Sequence, residues 1–339
     1  MIAFGAGVLI SLTMGACSTI SLNGNSQSDV EITLVSFAVT KQAYKQIIPK
    51  FVAKWQAEHN QRVTIAQSYG GSGSQTRAVI DGLDADIVHL ALAADTAKIA
   101  KAGLIDQGWE QELPNNAIVS RSVPVIVTRP NNPKNIQTYA DLEKDGIKLV
   151  TADPKTSGVA RWNFLALWNA AAQRFNNEQN ILSAIAKVYR NVPILTRDAR
   201  EATDAFFKQG QGDALINYEN EIILAQQKGL KASYIIPDIN ISIDNAIAIV
   251  DRNVTKHRNQ EVATAFAQFL FTPEAQIEFA KVGFRPVNPS IAQAEEFRKL
   301  YPPIKQLATV QDLGGWDQVN QKFFADGAAF DQIQKQINL

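Results

Sequence analysis

The sequence predicts an α/β protein built as two doubly wound domains. Three observations carry that prediction. Strand-like apolar runs alternate with helix-period segments from Glu31 to Ala102 in the order βαβαβα. The composition then shifts between Pro114 and Asn135, where the strand Val123–Thr128 runs into the Pro/Asn-rich turn Arg129–Asn135. Finally, 339 residues exceed what one hydrophobic core usually organises.

Composition removes several classes of function. Lys+Arg and Asp+Glu both number 33, so the formal net charge is zero. A nucleic-acid groove would need a basic excess. The single cysteine, Cys17, excludes an intrachain disulfide and a cysteine metal cluster. His59, His89 and His257 stand alone in the sequence and read as surface or packed residues. Neither a metal nor a cofactor is expected.

Met1–Ala16 is apolar but too short for a stable membrane span. It reads as the apolar region of a signal peptide ending in Gly15 and Ala16. Leu12–Cys17 (L-T-M-G-A-C) is similar to a bacterial lipobox, which would make Cys17 the lipidated N-terminus; a plain secretory signal is the alternative, and either exports the chain. Ser18–Asp29, rich in Ser and Asn, reads as a tether.

Glu31–Phe37 reads as the first strand of the folded part. Lys41–His59 places Tyr44, Ile47, Ile48, Phe51, Val52 and Trp55 at helical spacing, with Pro49 expected to kink the helix or start a second one. Strand Ile87–Ala91 and a helix from about Asp95 to Ala102 follow. The second domain is expected to carry strands at Lys148–Ala152, Val192–Thr196, Ala214–Tyr218 and Ser233–Ile236. Between them lie helices Gly158–Ala172, Glu178–Arg190, Ala199–Gln209 and Glu219–Lys228. Ile243–Val250 can return the chain to the first domain, where helix Arg258–Phe271 and a second helix capped by Thr272-Pro273 follow. Trp316–Phe324 and Phe330–Ile337 close the chain as helices.

The stretch Gln67–Arg77 (Q-S-Y-G-G-S-G-S-Q-T-R) lies between strand Arg62–Ala66 and helix Ser74–Asp81. Its three glycines permit φ > 0 and a close approach of backbone to ligand, and a helix N-terminus offers free N–H groups to an anion. Two other strand-to-helix turns resemble it: Asp153–Gly158, with Ser157-Gly158 at the helix start, and Thr196–Ala199, with Asp198 as N-cap. Taken alone, Ser157 and Asp198 read as ordinary helix caps.

Enzyme templates fail on particular residues. Gly70–Ser74 lacks the last glycine of G-x-S-x-G, and no acid and histidine follow in the required order, so a serine hydrolase using Ser72 or Ser74 is disfavoured. No Gly-Lys dipeptide exists to build a P-loop. No catalytic residue is assigned.

With these residues collected, the chain resembles the periplasmic sulfate-binding proteins, receptors of ABC-type sulfate importers. The likeness runs from about Glu31 to Lys335. It is carried by Gln67–Gly73, Ala85–Ala93 (A-D-I-V-H-L-A-L-A), Ser157–Asn163 (S-G-V-A-R-W-N), Tyr218–Glu221, Phe284–Pro286 and Gly314–Trp316. Receptors for thiosulfate, and more distantly for molybdate and phosphate, share the architecture. The resemblance implies a type II periplasmic binding protein: two α/β lobes of mostly parallel sheet, joined by a two-strand hinge that closes over the ion. Lobe 1 would comprise residues 30–119 and 247–339, lobe 2 residues 120–246, and residues 1–29 the signal and tether. It further implies a sulfate ion held dry, by the hydroxyl of Ser157 and by backbone N–H groups at Ala38, Ser72, Gly158, Val159 and Ala199. Tyr218 stands where the family commonly presents a tryptophan. Arg161 and Arg200 are expected to pair with carboxylates at the surface. A thiosulfate or other tetrahedral-oxyanion receptor is the alternative. The implied partners are the ion and the membrane subunits of an ABC importer, with the receptor monomeric, periplasmic, and attached to the membrane only through a lipid on Cys17.

Overall fold

The computed structural model describes residues 28–337; Cys17 and the expected signal and tether lie outside them. Among the described residues, no helix is long and apolar enough to cross a membrane.

In chain order the strands are β1 (Val30–Phe37), β2 (Val63–Gly70), β3 (Ile87–Leu90), β4 (Ile118–Ser122), β5 (Pro124–Thr128) and β6 (Leu149–Ala152). They continue as β7 (Leu195–Thr196), β8 (Ala214–Tyr218), β9 (Ser233–Ile235), β10 (Ile239–Ile241), β11 (Ile243–Ile249) and β12 (Gln306–Ala308). Two five-stranded sheets form, ordered β2-β1-β3-β11-β4 and β7-β6-β8-β5-β9. Each has three parallel strands side by side, then one antiparallel strand, then an outer strand antiparallel to that one. In each sheet the reversed strand belongs to the chain that has just crossed between lobes: β5 follows β4 through Val123, and β11 follows β10 through Ser242. In sheets of this kind, ligands bind beyond the carboxyl ends of the parallel strands, where the strand order reverses.

The first lobe's core lies under helix Lys41–His59, which buries Tyr44, Ile47, Phe51 and Trp55, with Phe51 against Phe266 and Phe269. Ile48 and Val52 are only half-buried. Pro49 neither kinks nor restarts this helix, which runs unbroken from Lys41 to His59. Pro49 is exposed, so the carbonyl one turn earlier that it leaves without a donor can bond to water.

Helix Gly158–Ala172 is apolar on nearly every face because it is covered on both sides. One covering layer is the end of the chain. Phe323, Phe324 and Phe330 pack around Phe164, and helix Ala329–Ile337 lies on helix Glu178–Arg190. The described part of the expected segment 247–339 is therefore not one unit of the first lobe. The chain crosses a third time through β12, which pairs in parallel with β10, and its last helices cap the second lobe. The reason is the excess apolar surface of the Gly158–Ala172 helix, which one sheet cannot cover.

Candidate functional site

All six parallel strands named first in each sheet order end at one cleft, and each leads into the start of a helix or turn. A small cavity lies there, where the lobes meet. From β1 come Phe37, Ala38 and Val39; from β2, Gly70, Gly71 and Ser72; from β3, Ala91. The second lobe contributes Ser157 and Gly158 after β6, Asp198 and Ala199 after β7, and Tyr218 at the end of β8.

The backbone explains why this wall is rich in donors. Ala38 opens the short turn Ala38–Thr40. Ser72 is the first residue of helix Ser72–Ile80, Gly158 and Val159 the first two of helix Gly158–Ala172, and Ala199 the first of helix Ala199–Phe207. First-turn amides have no acceptor within their own helix, and the dipole makes that end partly positive. Of the residues expected from the sequence, Ala38, Ser72, Ser157, Gly158, Ala199 and Tyr218 line the cavity. Val159 does not; it sits buried one position further into its helix, with an amide still in the first turn.

The glycines work differently from the expectation. β2 pairs with β1 through Gly70, and the helix starts at Ser72, so the loop shrinks to Gly71. None of Gly70, Gly71 and Gly73 has a positive φ. Gly71 is needed for proximity instead: a Cβ there would stand 2.6 Å from the Thr156 carbonyl oxygen on the opposite lobe.

Ser157 and Asp198 occupy equivalent N-cap positions but do different work. Asp198 accepts the Glu201 N–H at 2.9 Å, as a helix cap should. The Ser157 side chain makes no capping bond although the residue is buried, leaving its hydroxyl for the cavity. Asn217, fully buried, donates to the Ala199 carbonyl at 2.8 Å and to Thr203 Oγ1 at 2.9 Å, which fixes one helix start to β8. Tyr218 is buried; desolvation first, then Asp95 and Glu221, hold its phenol well above the usual tyrosine range. It therefore stays protonated and able to donate.

Asp95 escaped sequence reading. It is buried, accepts the Ser72 hydroxyl at 2.8 Å, and pairs with Lys98 at 2.9 Å. Ser72 Oγ in turn accepts the Ala91 N–H at 3.1 Å, so the glycine loop is tied to the end of β3. No motif marks this; only the fold brings a helix-start aspartate under Ser72. Arg161 reaches Asp95 at 3.5 Å from the other lobe, and Arg200 donates to buried Glu221 at 2.6 Å. Both arginines pair with carboxylates as expected, but with buried ones, and Arg161 itself is only 11% exposed. Trp162 Nε1 also crosses the cleft to the Ala91 carbonyl at 2.9 Å. The lobes are closed.

Among the described residues, no lysine, arginine or histidine lines the cavity. His89 lies in the core beneath it, sharing a 2.7 Å hydrogen bond with Tyr44, and burial pushes it down to about 3. His257 pairs with Asp86 at 2.7 Å, and His59 stacks on Trp55. Among the described residues, no group of three His, Cys, Asp or Glu side chains could hold a metal.

Two α/β lobes of this topology, closed over a cavity of backbone donors, define a type II solute-binding protein. The sequence model of the bacterial extracellular solute-binding proteins matches residues 32–285. A sulfate-binding protein of Synechococcus elongatus is 53% identical over 96% of this chain and 93% of its own. A thiosulfate-binding protein of Pseudomonas aeruginosa is 32% identical over 93% and 95%. The solved sulfate-binding protein of Mycobacterium tuberculosis superposes with a TM-score of 0.79 at 37% identity, over 87% of this chain and 99% of that one. The chain belongs to the sulfate-binding protein family of bacterial extracellular solute-binding proteins.

Proposed function

We propose that the chain captures sulfate outside the cytoplasm and delivers it to the membrane subunits of an ABC importer. The observation that carries this is the cavity wall: helix-start amides from both lobes and the uncapped Ser157 hydroxyl converge, with no cationic side chain among them. Sulfate at neutral pH is a dianion with no proton to donate, so a wall of donors satisfies it. Hydrogen phosphate would keep a proton facing those donors, a penalty of about 1–3 kcal/mol. The donors would be the amides at Ala38, Ser72, Gly158, Val159 and Ala199, the Ser157 hydroxyl and the Tyr218 phenol. Each charge-assisted bond is worth about 1.5–3 kcal/mol, and micromolar binding needs only about 8 kcal/mol net.

The protein acts as a receptor and not as a hydrolase. Ser72 spends its hydroxyl on Asp95, and no histidine lines the cavity to serve as its base. A calorimetric titration with sulfate, thiosulfate, phosphate and molybdate at pH 7 tests the reading. One sulfate per chain with micromolar or tighter affinity is expected. Heat from phosphate alone would sink it, and a clear preference for thiosulfate would transfer the same site to that ion.

A further inference from the structure

The anion cavity holds no cation, yet four cations gather beside it. Lys41, Lys45, Arg200 and Lys228 line a single pocket together with Gln67, and no carboxylate among the described residues lines it. Lys41 and Lys45 stand on the helix that follows the Ala38–Thr40 turn, and Arg200 follows Ala199, so this pocket flanks the cavity on both lobes. The turn and the helix Ala199–Phe207 touch each other across the cleft. Arg200 is held by Glu221, while Lys41, Lys45 and Lys228 are exposed and enter no ion pair among the described residues.

On a chain of zero net charge this is a local field, not a reflection of overall basicity. Lys41 and Lys45 come from the first lobe and Lys228 from the second, so closure brings unpaired like charges together, an arrangement that costs energy unless it attracts something negative. We propose that the Lys41–Lys45–Arg200–Lys228 pocket steers a divalent oxyanion into the cleft, supplying the long-range attraction that the amide-lined cavity, without a cationic side chain, lacks. Backbone dipoles act within a few ångströms, whereas unpaired charges at a concave opening raise the arrival rate of an oppositely charged ligand by roughly 10- to 1000-fold at low ionic strength. The division is between capture and retention: lysines set how fast the ion arrives, amides how long it stays.

This rests on the anion-receptor reading above. The test is stopped-flow tryptophan fluorescence, since Trp162 crosses the cleft and reports closure, on the wild type and on the triple variant K41Q/K45Q/K228Q. At about 10 mM ionic strength, the variant's sulfate association rate is expected to fall on the order of tenfold with the dissociation rate unchanged. The gap should close by about 0.5 M NaCl as the charges are screened. Equal association rates at low salt would overturn the proposal, and so would a loss confined to the dissociation rate, because that would place the lysines in closure. Should the wild type bind thiosulfate or molybdate but not sulfate, the sulfate assignment fails, while the same rate comparison with the bound ion still decides the steering role.

Discussion

Gly158 of the second lobe lies so close to Ala91 of the first that a Cβ on Gly158 would stand 2.5 Å from the Ala91 Cβ and 3.3 Å from that of Ser72. Opposing backbones thus meet where side chains are missing, and Gly71 against Thr156 repeats the device. Gly158→Ala should hold the lobes apart. Overpacking of this kind costs about 1–3 kcal/mol, which here falls on the closed state alone. Sulfate affinity is expected to weaken about 5- to 150-fold, with the melting temperature of the unliganded protein nearly unchanged. Calorimetry and thermal denaturation check both halves, and wild-type affinity in the variant would show that the contact yields.

The contrast between the two N-caps gives a second prediction. Ser157→Ala removes a hydroxyl that caps nothing, so stability should hold while affinity drops about 10- to 100-fold, the worth of one charge-assisted hydrogen bond. Asp198→Ala removes a real cap to Glu201 N–H, at about 1 kcal/mol, and should lower the melting temperature by roughly 2–4 °C. Measuring Tm and Kd for both variants separates the roles. A large loss of stability in Ser157→Ala would contradict the assignment.

Tyr218 leads to a prediction about pH. Burial, Asp95 and Glu221 all push its phenol up, so its donor persists across the neutral range. No histidine or lysine lines the cavity to titrate there. Sulfate affinity is therefore expected to stay flat from pH 6 to 8, and Tyr218→Phe to weaken it about tenfold at every pH. A sulfate Kd that shifts steeply between pH 6 and 8 in calorimetry would point to a titrating group in the site and refute this account.

The helix starts at Gly158 and Ala199 are legible because they obey a local rule, a strand followed by a short turn, whereas the helix expected from Ser74 begins two residues earlier, at Ser72. Helices Lys41–His59 and Glu178–Arg190 follow from apolar spacing, Pro49 notwithstanding, while Gly158–Ala172, apolar all round, is read from its strand-and-turn start and its length. What escaped depends on tertiary partners. Strands β4, β10 and β12 are short, and hydrogen bonding to segments far along the chain defines them. Asp95 looks like any first-turn acid until the fold brings Ser72 above it. The capping of the second lobe by Phe323, Phe324 and Phe330 could not be read because an apolar helix face does not name the surface it covers. Even the glycines misled in part, since close approach and positive φ leave the same residue in the sequence.

His257 carries the last prediction. It shares a 2.7 Å hydrogen bond with Asp86, which also accepts the Thr33 N–H at 2.7 Å, so the short helix Asp251–His257 is tied to the edge of β3 and to β1. The bond to Asp86 first, and then the nearby Asp84, raise the imidazole above its ordinary 6.5. A raised folded value means that the protonated form is favoured by folding. Its stabilisation is complete below pH 6.5 and fades as pH rises through the folded value. His257 is 27% exposed, so solvent screens the pair and the effect is modest. His257→Gln should lower the melting temperature by about 1–2 °C at pH 5.5, and the difference should shrink by pH 8.5. Melting curves across that range decide it: a deficit that grows with pH would reverse the sign, and place the neutral imidazole as the stabilising form.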